Sequence, residues 1–269
     1  MELVAALIVT PGLIGAASLG ARRWGPSVGG WLLSFPVITA PVLLVLALEQ
    51  GLPTCQRVAE GALAGCIPIM GFCIVYSWLA RAGLSWPICL TAGCLCFALV
   101  AVPMLQAAAI PVSLLFVIVL AALGFTIRLM PAHIGGEPAA AELPRDIPIR
   151  MLLGGLVVLA VELAVPVVGS GAAGILSMIP ITTSIVSVFA QRSEGVNAAV
   201  GVQRGLLVGV FGTAAFLGTV GVLIEDAGLA VAFLVGLAVL SLVEAAALKA
   251  VRRSQGRPAK GMAASDGAG

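Results

Sequence analysis

The chain has 269 residues, of which 61% are hydrophobic and only 10% are charged, and its mean hydropathy is +1.17. A soluble domain carries about 25% charged residues, so this composition excludes a soluble fold and indicates an integral membrane protein. The formal net charge of +2 gives no reason to expect nucleic-acid binding, because the basic residues stand at the ends of apolar segments.

Apolar segments follow one another along the chain, and each is continuous over roughly 20 residues, the length of a membrane-spanning helix. A strand of a membrane barrel would instead alternate apolar and polar residues. The sequence therefore predicts an all-α fold, a polytopic membrane protein with about nine transmembrane helices. In chain order the predicted spans are residues 3–21, 28–50, 58–80, 85–105, 108–129, 150–169, 171–191, 199–224 and 228–249.

Basic residues mark alternate loops between these spans. Arg22 and Arg23 follow span one, Arg192 follows span seven, and Lys249 and Arg252 follow span nine. Because cytoplasmic loops of membrane proteins are enriched in lysine and arginine, the pattern predicts a multi-pass topology. The N-terminus is expected outside and the C-terminus in the cytoplasm.

The composition of the loops divides the chain into two transmembrane units. Residues 1–131 are predicted to hold five helices and residues 149–251 four helices. Residues 132–148 are rich in proline, glycine, alanine and glutamate, which predicts a cytoplasmic linker between the units. Residues 252–269 are small, polar and basic, which predicts a disordered cytoplasmic tail.

A short motif occurs twice, from Gly30 to Thr39 and from Gly174 to Thr183, 144 positions apart and without a gap. The repeat extends over residues 29–65 of the first copy. The positions identical in both copies are Gly30, Leu32, Pro36, Thr39, Val42, Gly51, Val58, Gly61, Leu63 and Gly65. Five predicted spans precede the second copy, so the second half of the chain would start on the opposite face of the membrane. The sequence thus predicts two inverted repeats.

Proline interrupts both copies in the middle of an apolar span. Pro36 and Pro41 in span two, and Pro180 in span seven, each remove a backbone donor, so both helices are predicted to be broken. The half-helices that begin near residues 37–41 and 181–184 would aim their N-termini at the midplane, which favours an anion or a carboxylate. The predicted substrate-binding residues are Pro36, Thr39, Pro41, Pro180, Thr182, Thr183 and Ser184. The alternative is that the prolines only kink the helices and the hydroxyls bond to their own helices.

Glycines follow both interrupted spans. Gly61 and Gly65 lie in span three, and Gly205 and Gly209 lie at the equivalent positions of span eight. Small residues four apart make a flat helix face that admits another helix closely. We therefore expect spans three and eight to press against the broken helices.

Polar side chains at membrane depth are the candidates for coupling or gating, since burying them is costly. Glu162 in span six is interpreted as a carrier of a coupling proton, as a side chain that reaches the membrane surface, or as the partner of a neighbouring residue. Glu60 near the outer end of span three and Arg204 near the inner end of span eight are interpreted as parts of separate gates. Gln203 would join the second gate, and snorkelling to the surface would explain Arg204 equally well. Glu244 is interpreted as an ordinary helix end.

Metal, cofactor and enzyme chemistry find little support in the sequence. His133 is the only histidine, and it lies in a loop. Cys66 and Cys73 share a helix face with Met70 and could bind a soft metal, but buried packing is the simpler interpretation. The chain has no Walker A sequence, no His-Glu-x-x-His motif and no serine nucleophile elbow. We therefore expect no metal site, no cofactor and no enzymatic activity.

The stretch from Arg22 to Pro41, Arg-Arg-Trp-Gly-Pro-Ser-Val-Gly-Gly-Trp-Leu-Leu-Ser-Phe-Pro-Val-Ile-Thr-Ala-Pro, followed by Leu-Ala-Leu-Glu-Gln-Gly51, resembles a group of uncharacterised bacterial inner-membrane proteins. That resemblance implies a location in the bacterial inner membrane and no known activity. More loosely, two inverted halves with proline-broken helices resemble the bile-acid symporter and sodium/proton antiporter superfamily. This resemblance implies crossed discontinuous helices, a core and a panel domain, and ion-coupled alternating access. Those folds carry acidic ion ligands near the crossing, whereas only hydroxyls accompany the prolines here.

These observations favour a secondary transporter, a permease that moves a small anionic organic solute by alternating access, with proton coupling as one option. Its expected partners are the lipid bilayer and the solute, and homo-oligomerisation is left open. The alternative function is a non-transporting membrane scaffold or assembly factor. A scaffold would have a packed interior at the midplane, whereas a transporter would bring both Pro-Thr motifs to one solute site.

Overall fold

The structure, a computed structural model, describes residues 2–36, 39–104, 110–131, 147–149, 151–152, 175 and 177–255. Every long regular element within these residues is an α-helix, which confirms the predicted fold class. In chain order the helices are α1 (Glu2–Trp24), α2 (Pro26–Leu32), α3 (Thr39–Gln50), α4 (Leu52–Arg81), α5 (Trp86–Met104), α6 (Val112–Leu129), α7 (Ile181–Ser193) and α8 (Val196–Gln255).

Four helices in the described part of the chain are long and apolar enough to cross a membrane, namely α4, α5, α6 and residues Val196–Lys249 of α8. Large apolar side chains such as Leu99 on α5 and Leu242 on α8 are exposed, as contact with lipid requires. The sixth predicted span and most of the predicted linker and tail lie outside the described residues. The count of about nine spans therefore stays a prediction.

Helix α8 reverses its direction at Gly228, where the backbone has φ 78°. We call residues 196–227 its first arm and residues 229–255 its second arm. The second arm packs back on the first, and the ring of Phe233 meets the ring of Phe216 edge to face, with 5.8 Å between their centroids. Residues far apart in α8 are thereby brought side by side.

Predicted span two is two helices. Helix α2 ends at Leu32 and α3 begins at Thr39, and the described residues between them, 33–36, are not helical and include Pro36. Pro41 lies in the first turn of α3, where a missing backbone N–H leaves no intrahelical hydrogen bond unmade. Helix α7 likewise begins at Ile181, directly after Pro180. The helix break at Pro36 and the helix start after Pro180 lie where the prolines predict them, and the first part of span seven lies outside the described residues.

Helix α4 and the first arm of α8 form the centre of the structure and run antiparallel. At one end, Gln56 Nε2 near the start of α4 donates to the carbonyl oxygen of Gly221, late in the first arm, at 3.2 Å. At the other end, the Tyr76 hydroxyl near the end of α4 donates to Oε1 of Gln191, just before α8 begins, at 2.8 Å. The largest fully buried side chains on these two helices are Tyr76, Phe72, Phe216, Leu63, Leu207, Leu217, Ile224 and Gln203.

Candidate functional site

The two interrupted segments have the same local backbone geometry. One hydrogen bond closes the turn before each proline, and another links each proline carbonyl to the half-helix that follows. The pairs are Ser34 N to Trp31 O and Met178 N to Ile175 O, both 3.1 Å, and Ala40 N to Pro36 O and Ser184 N to Pro180 O, both 2.9 Å. Every residue in one copy lies 144 positions from its counterpart in the other. The repeat seen in the sequence is therefore accompanied by matching backbone hydrogen bonds around both prolines.

The likeness continues through the turn after each half-helix. Gly51 joins α3 to α4 with φ 88°, and Gly195 joins α7 to α8 with φ 90°, a left-handed conformation that favours glycine. The carbonyl oxygen of each glycine accepts a hydrogen bond from the amide four residues on, Cys55 in the first copy and Ala199 in the second, both at 3.3 Å. Equivalent hydrogen bonds thus occur across residues 31–55 and 175–199.

Each interrupted segment packs against the long helix of the other copy. A Cβ atom added at Gly65 of α4 would lie 2.8 Å from Cγ of Met178, in the second motif. A Cβ atom added at Gly209, the equivalent position of α8, would overlap the hydroxyl of Ser34, which is the equivalent of Met178 in the first motif. The two contacts are reciprocal, because exchanging the copies converts one contact into the other.

A further pair of contacts extends the equivalence beyond the aligned residues. Gly93 of α5 packs on the ring of Phe72, where an added Cβ would lie 2.8 Å from Cδ2. Gly236 in the second arm of α8 packs in the same way on Phe216, with 3.0 Å between the corresponding atoms. Helix α5 and the second arm therefore occupy matching places beside α4 and the first arm.

The predicted substrate-binding residues occupy both breaks. Pro36 and Pro180 are buried, as are the equivalent threonines Thr39 and Thr183, which are 7% and 4% exposed. Thr182 is partly exposed. Each motif contacts the long helix of the other copy, and these two helices, α4 and the first arm of α8, connect the motifs.

Ser184 fits the alternative interpretation. Its hydroxyl donates to the carbonyl oxygen of Pro180 at 2.6 Å, so it stabilises the start of its own helix. The side chain of Pro41 is outside the described atoms. Thr39 and Thr183 occupy equivalent buried places directly after Pro36 and Pro180, and their interpretation as solute-binding residues stays a prediction.

Glu60 lies at the end of the molecule where Gln56 bonds to Gly221. It is half-buried on α4, with Cγ 4.0 Å from the Cβ that a substitution at Gly221 would add. Arg57 and Glu225 are within electrostatic reach of its carboxylate. The interpretation of Glu60 as part of a gate stays a prediction.

Gln203 and Arg204 lie near the opposite end of the α4–α8 pair. Gln203 is fully buried, and its Nε2 atom donates to the hydroxyl of Ser187 on α7 at 3.2 Å. Arg204 donates from Nη1 to the carbonyl oxygens of Met130 at 3.3 Å and Pro131 at 3.1 Å. These carbonyls end α6, where a cation stabilises the helix dipole. Arg204 therefore anchors α6 to the first arm, and its interpretation as part of a gate stays a prediction.

Replacing Arg204 with methionine should lower the free energy of unfolding by about 2 kcal/mol, because hydrogen bonds from a charged donor are lost while the aliphatic packing is kept. Thermal unfolding in detergent, followed by size-exclusion chromatography, measures the effect. Arg57→Met is the control, since Arg57 is exposed and its only described hydrogen bond, to Thr54, is exposed too. An unchanged midpoint for Arg204→Met would exclude the anchoring role.

Glu244 is the residue that sequence reasoning missed. Its side chain is only 2% exposed, so the interpretation as an ordinary helix end is wrong. The hydroxyl of Ser34 lies 3.3 Å from its Oε1 atom, and Oε2 has no hydrogen-bond partner among the described residues. On its other side, a Cβ atom added at Gly212 would lie 2.6 Å from Oε1. The expectation that only hydroxyls accompany the prolines is therefore also wrong, since a carboxyl group reaches the first break.

The signal for Glu244 in the sequence was a single carboxylate inside the apolar run Leu-Val-Glu-Ala-Ala-Ala-Leu. Its distance along the chain from the first motif hid the contact. Glu162, the other acidic candidate, lies outside the described residues. Its interpretation as a proton carrier stays a prediction.

Comparisons with known proteins give no assignment. No family model, curated protein or solved structure matches the chain. A function for this protein is therefore argued from the geometry of the two breaks and from the groups around them.

Proposed function

We propose that the protein is a secondary transporter of the bacterial inner membrane that moves a small anionic organic solute by alternating access. The observation that carries the proposal is the reciprocal packing of the breaks, Met178 on Gly65 and Ser34 on Gly209. Contacts that convert into each other when two units are exchanged are typical of a two-fold relation. Two helix breaks related in this way are the usual framework of a transport site.

The antiparallel course of α4 and the first arm supports inversion of the two repeats. These helices are equivalent in the repeat, and equivalent helices that run in opposite directions imply an axis in the membrane plane. Such an arrangement lets one set of contacts close the outer side and a matching set close the inner side. The Gln56–Gly221 and Tyr76–Gln191 hydrogen bonds, at opposite ends of the pair, are the closures we assign to these two sides.

The helix starts at the breaks favour an anionic solute. Helices α3 and α7 begin at Thr39 and Ile181. The amides of Ala40 and Ser184 already donate to the proline carbonyls, so only the other amides of each first turn are candidates for donating to a solute. The helix dipoles place about half a positive charge at each start. The buried hydroxyls of Thr39 and Thr183 add donors that a carboxylate of the solute accepts.

The test is transport by the purified protein in liposomes, with a panel of radiolabelled mono-, di- and tricarboxylates. Thr39→Val and Thr183→Val should each lower solute uptake about tenfold, since losing one hydrogen bond to a charged group costs about 1.5 kcal/mol or more. Thr219→Val is the matched control, because the Thr219 hydroxyl donates to Ala215 of its own helix at 2.7 Å.

Two results would count against the proposal. If no carboxylate moves with the parent protein while the protein is folded, the transporter assignment fails and the scaffold alternative is favoured. If the parent transports and both threonine variants match it, transport stands but the assigned site is wrong.

A further inference from the structure

The two breaks are alike in backbone but differ in chemistry. Around the first break, Glu244, Ser34, Trp31 and the hydroxyl of Thr213, which donates to the carbonyl oxygen of Ser34, bring polar groups together. Gly93 of α5 and Gly236 of the second arm occupy matching places, so the two helices can be aligned on these glycines. In that alignment Glu244 of the second arm is paired with Ala101 of α5. The equivalents of the four polar residues are the apolar residues Ala101, Met178, Ile175 and Ile69. The first break is therefore surrounded by polar groups at positions where the second break has apolar ones.

The hydrogen bonds that Ser34 can form depend on whether Glu244 is protonated. Its hydroxyl lies 2.6 Å from the carbonyl oxygen of Trp31 and 3.3 Å from Oε1 of Glu244, but a hydroxyl has one proton to donate. When that proton goes to the closer oxygen, of Trp31, the contact with Glu244 is a hydrogen bond only if Glu244 is protonated and donates to Ser34. The carbonyl oxygen of Trp31 and Oε1 of Glu244 therefore compete for one hydroxyl proton, and protonation of Glu244 would remove that competition.

A second arrangement of the same groups fits the ionised carboxylate. Trp31 Nε1 is buried beside the carboxyl group and has no hydrogen-bond partner within the described residues, as is true of Oε2 of Glu244. An ionised Glu244 would accept from Trp31 Nε1 and from the Ser34 hydroxyl turned towards it. The carbonyl oxygen of Trp31, at the end of α2, would then lose its bond to the hydroxyl.

We propose that Glu244 is a proton-binding site in the membrane, and that its protonation couples proton movement to the conformation of the break between α2 and α3. The carboxylate takes one proton from water on one side and becomes a neutral acid, which donates to Ser34. It releases that proton on the other side and becomes a carboxylate again. The coupling to solute rests on the proposed transport function, whereas proton binding itself does not.

The described groups around Glu244 are uncharged, so the charge at this place depends on whether Glu244 itself is protonated. Among the described residues, the groups that face it are Trp31 of α2, Ser34 just after α2 and Gly212 of the first arm, none of which is charged. On its own arm, Lys249 is exposed more than a helical turn further on. A buried carboxylate that has no charged partner among the described residues is costly in free energy, and protonation to the neutral acid removes most of that cost.

Tryptophan fluorescence tests proton binding without any solute. Trp24, Trp78 and Trp86 are changed to phenylalanine, so that Trp31 is the only reporter. We expect the Trp31 emission to titrate with pH between about pH 4 and pH 10, because an ionised carboxylate beside an indole changes its emission. Glu244→Gln should abolish the titration, and Glu244→Asp should restore one. Ser241→Ala on the same arm is the control, since Ser241 is exposed and bonds to Leu237 of its own helix.

Transport tests the coupling separately. With the parent protein, an imposed proton gradient should accumulate the solute, and Glu244→Gln should reduce this accumulation at least tenfold while exchange of labelled for unlabelled solute continues. Accumulation by Glu244→Gln equal to that of the parent would overturn the coupling role. The proton site would be overturned if the Trp31 emission did not change with pH, or if it changed equally in Glu244→Gln. This test does not depend on transport, so it applies even if the parent moves none of the solutes tried.

Discussion

Replacing Gly205 with alanine should destabilise the protein by about 3 kcal/mol, because the added methyl group would overlap a backbone carbonyl. The obstacle is the carbonyl oxygen of Ser27 in α2, which cannot rotate away as a side chain does. The same expectation holds for Gly30→Ala, whose methyl group would overlap the carbonyl oxygen of Val202 in α8. Helix α2 would have to move away from the first arm in either variant, and the Ser34–Glu244 contact would move with it.

The control for these variants is Gly124→Ala in α6. A methyl group there meets no described atom within 4 Å, so the substitution should be neutral or stabilising by about 0.5–1 kcal/mol, as expected in a helix. The measurement is the midpoint of thermal unfolding in detergent, with folded protein counted by size-exclusion chromatography. If Gly205→Ala and Gly124→Ala unfold at the same temperature, the close packing of α2 on α8 is not as described.

The sequence was sufficient to predict the features that depend on a residue's own backbone. Pro36 and Pro180 lack an amide proton wherever they are placed, so the breaks could be located to within a few residues. The first residues of the half-helices, Thr39 and Ile181, follow from the same reasoning. The close packing at Gly65 and Gly209 was expected too, because small residues four apart favour it.

Features that depend on the path of the whole chain could not be predicted in this way. Glu244 reaches the first break only because α8 reverses at Gly228 and lays its second arm along the first. No local pattern near residue 244 reveals a partner 210 positions away. Arg204 is a similar case, since its bonds to Met130 and Pro131 depend on where α6 ends.

Paired cysteines should cross-link the two repeats, because the reciprocal contacts place Cβ positions side by side. A Cβ atom at Gly65 would lie 2.9 Å from Cβ of Met178, and one at Gly209 would lie 2.6 Å from Cβ of Ser34. A disulfide needs about 3.5–4.5 Å between these atoms, so a small shift suffices in both pairs. We expect Gly65→Cys with Met178→Cys, and Ser34→Cys with Gly209→Cys, to oxidise almost completely.

The cross-link is measured in a parent protein whose six native cysteines have been replaced, with a protease site inserted in the predicted linker at residues 132–148. After cleavage, a disulfide between the repeats keeps the two halves together on a denaturing gel until reductant is added. Ser34→Cys with Gly65→Cys is the control, since both residues precede the linker and cannot join the halves. Separation of the halves in both test pairs would contradict the reciprocal packing.

Under the proposed transport function, the same cross-links should stop solute transport, because alternating access would require each break to move against the long helix of the other repeat. We expect uptake into liposomes to fall to the level of empty vesicles after oxidation and to return when the disulfide is reduced. Uptake is measured with both the cleaved and the uncleaved protein, so that an effect of the disulfide is distinguished from an effect of cutting the linker. If the disulfides form fully and uptake continues, these contacts are static, and any movement that carries the solute must occur elsewhere in the protein.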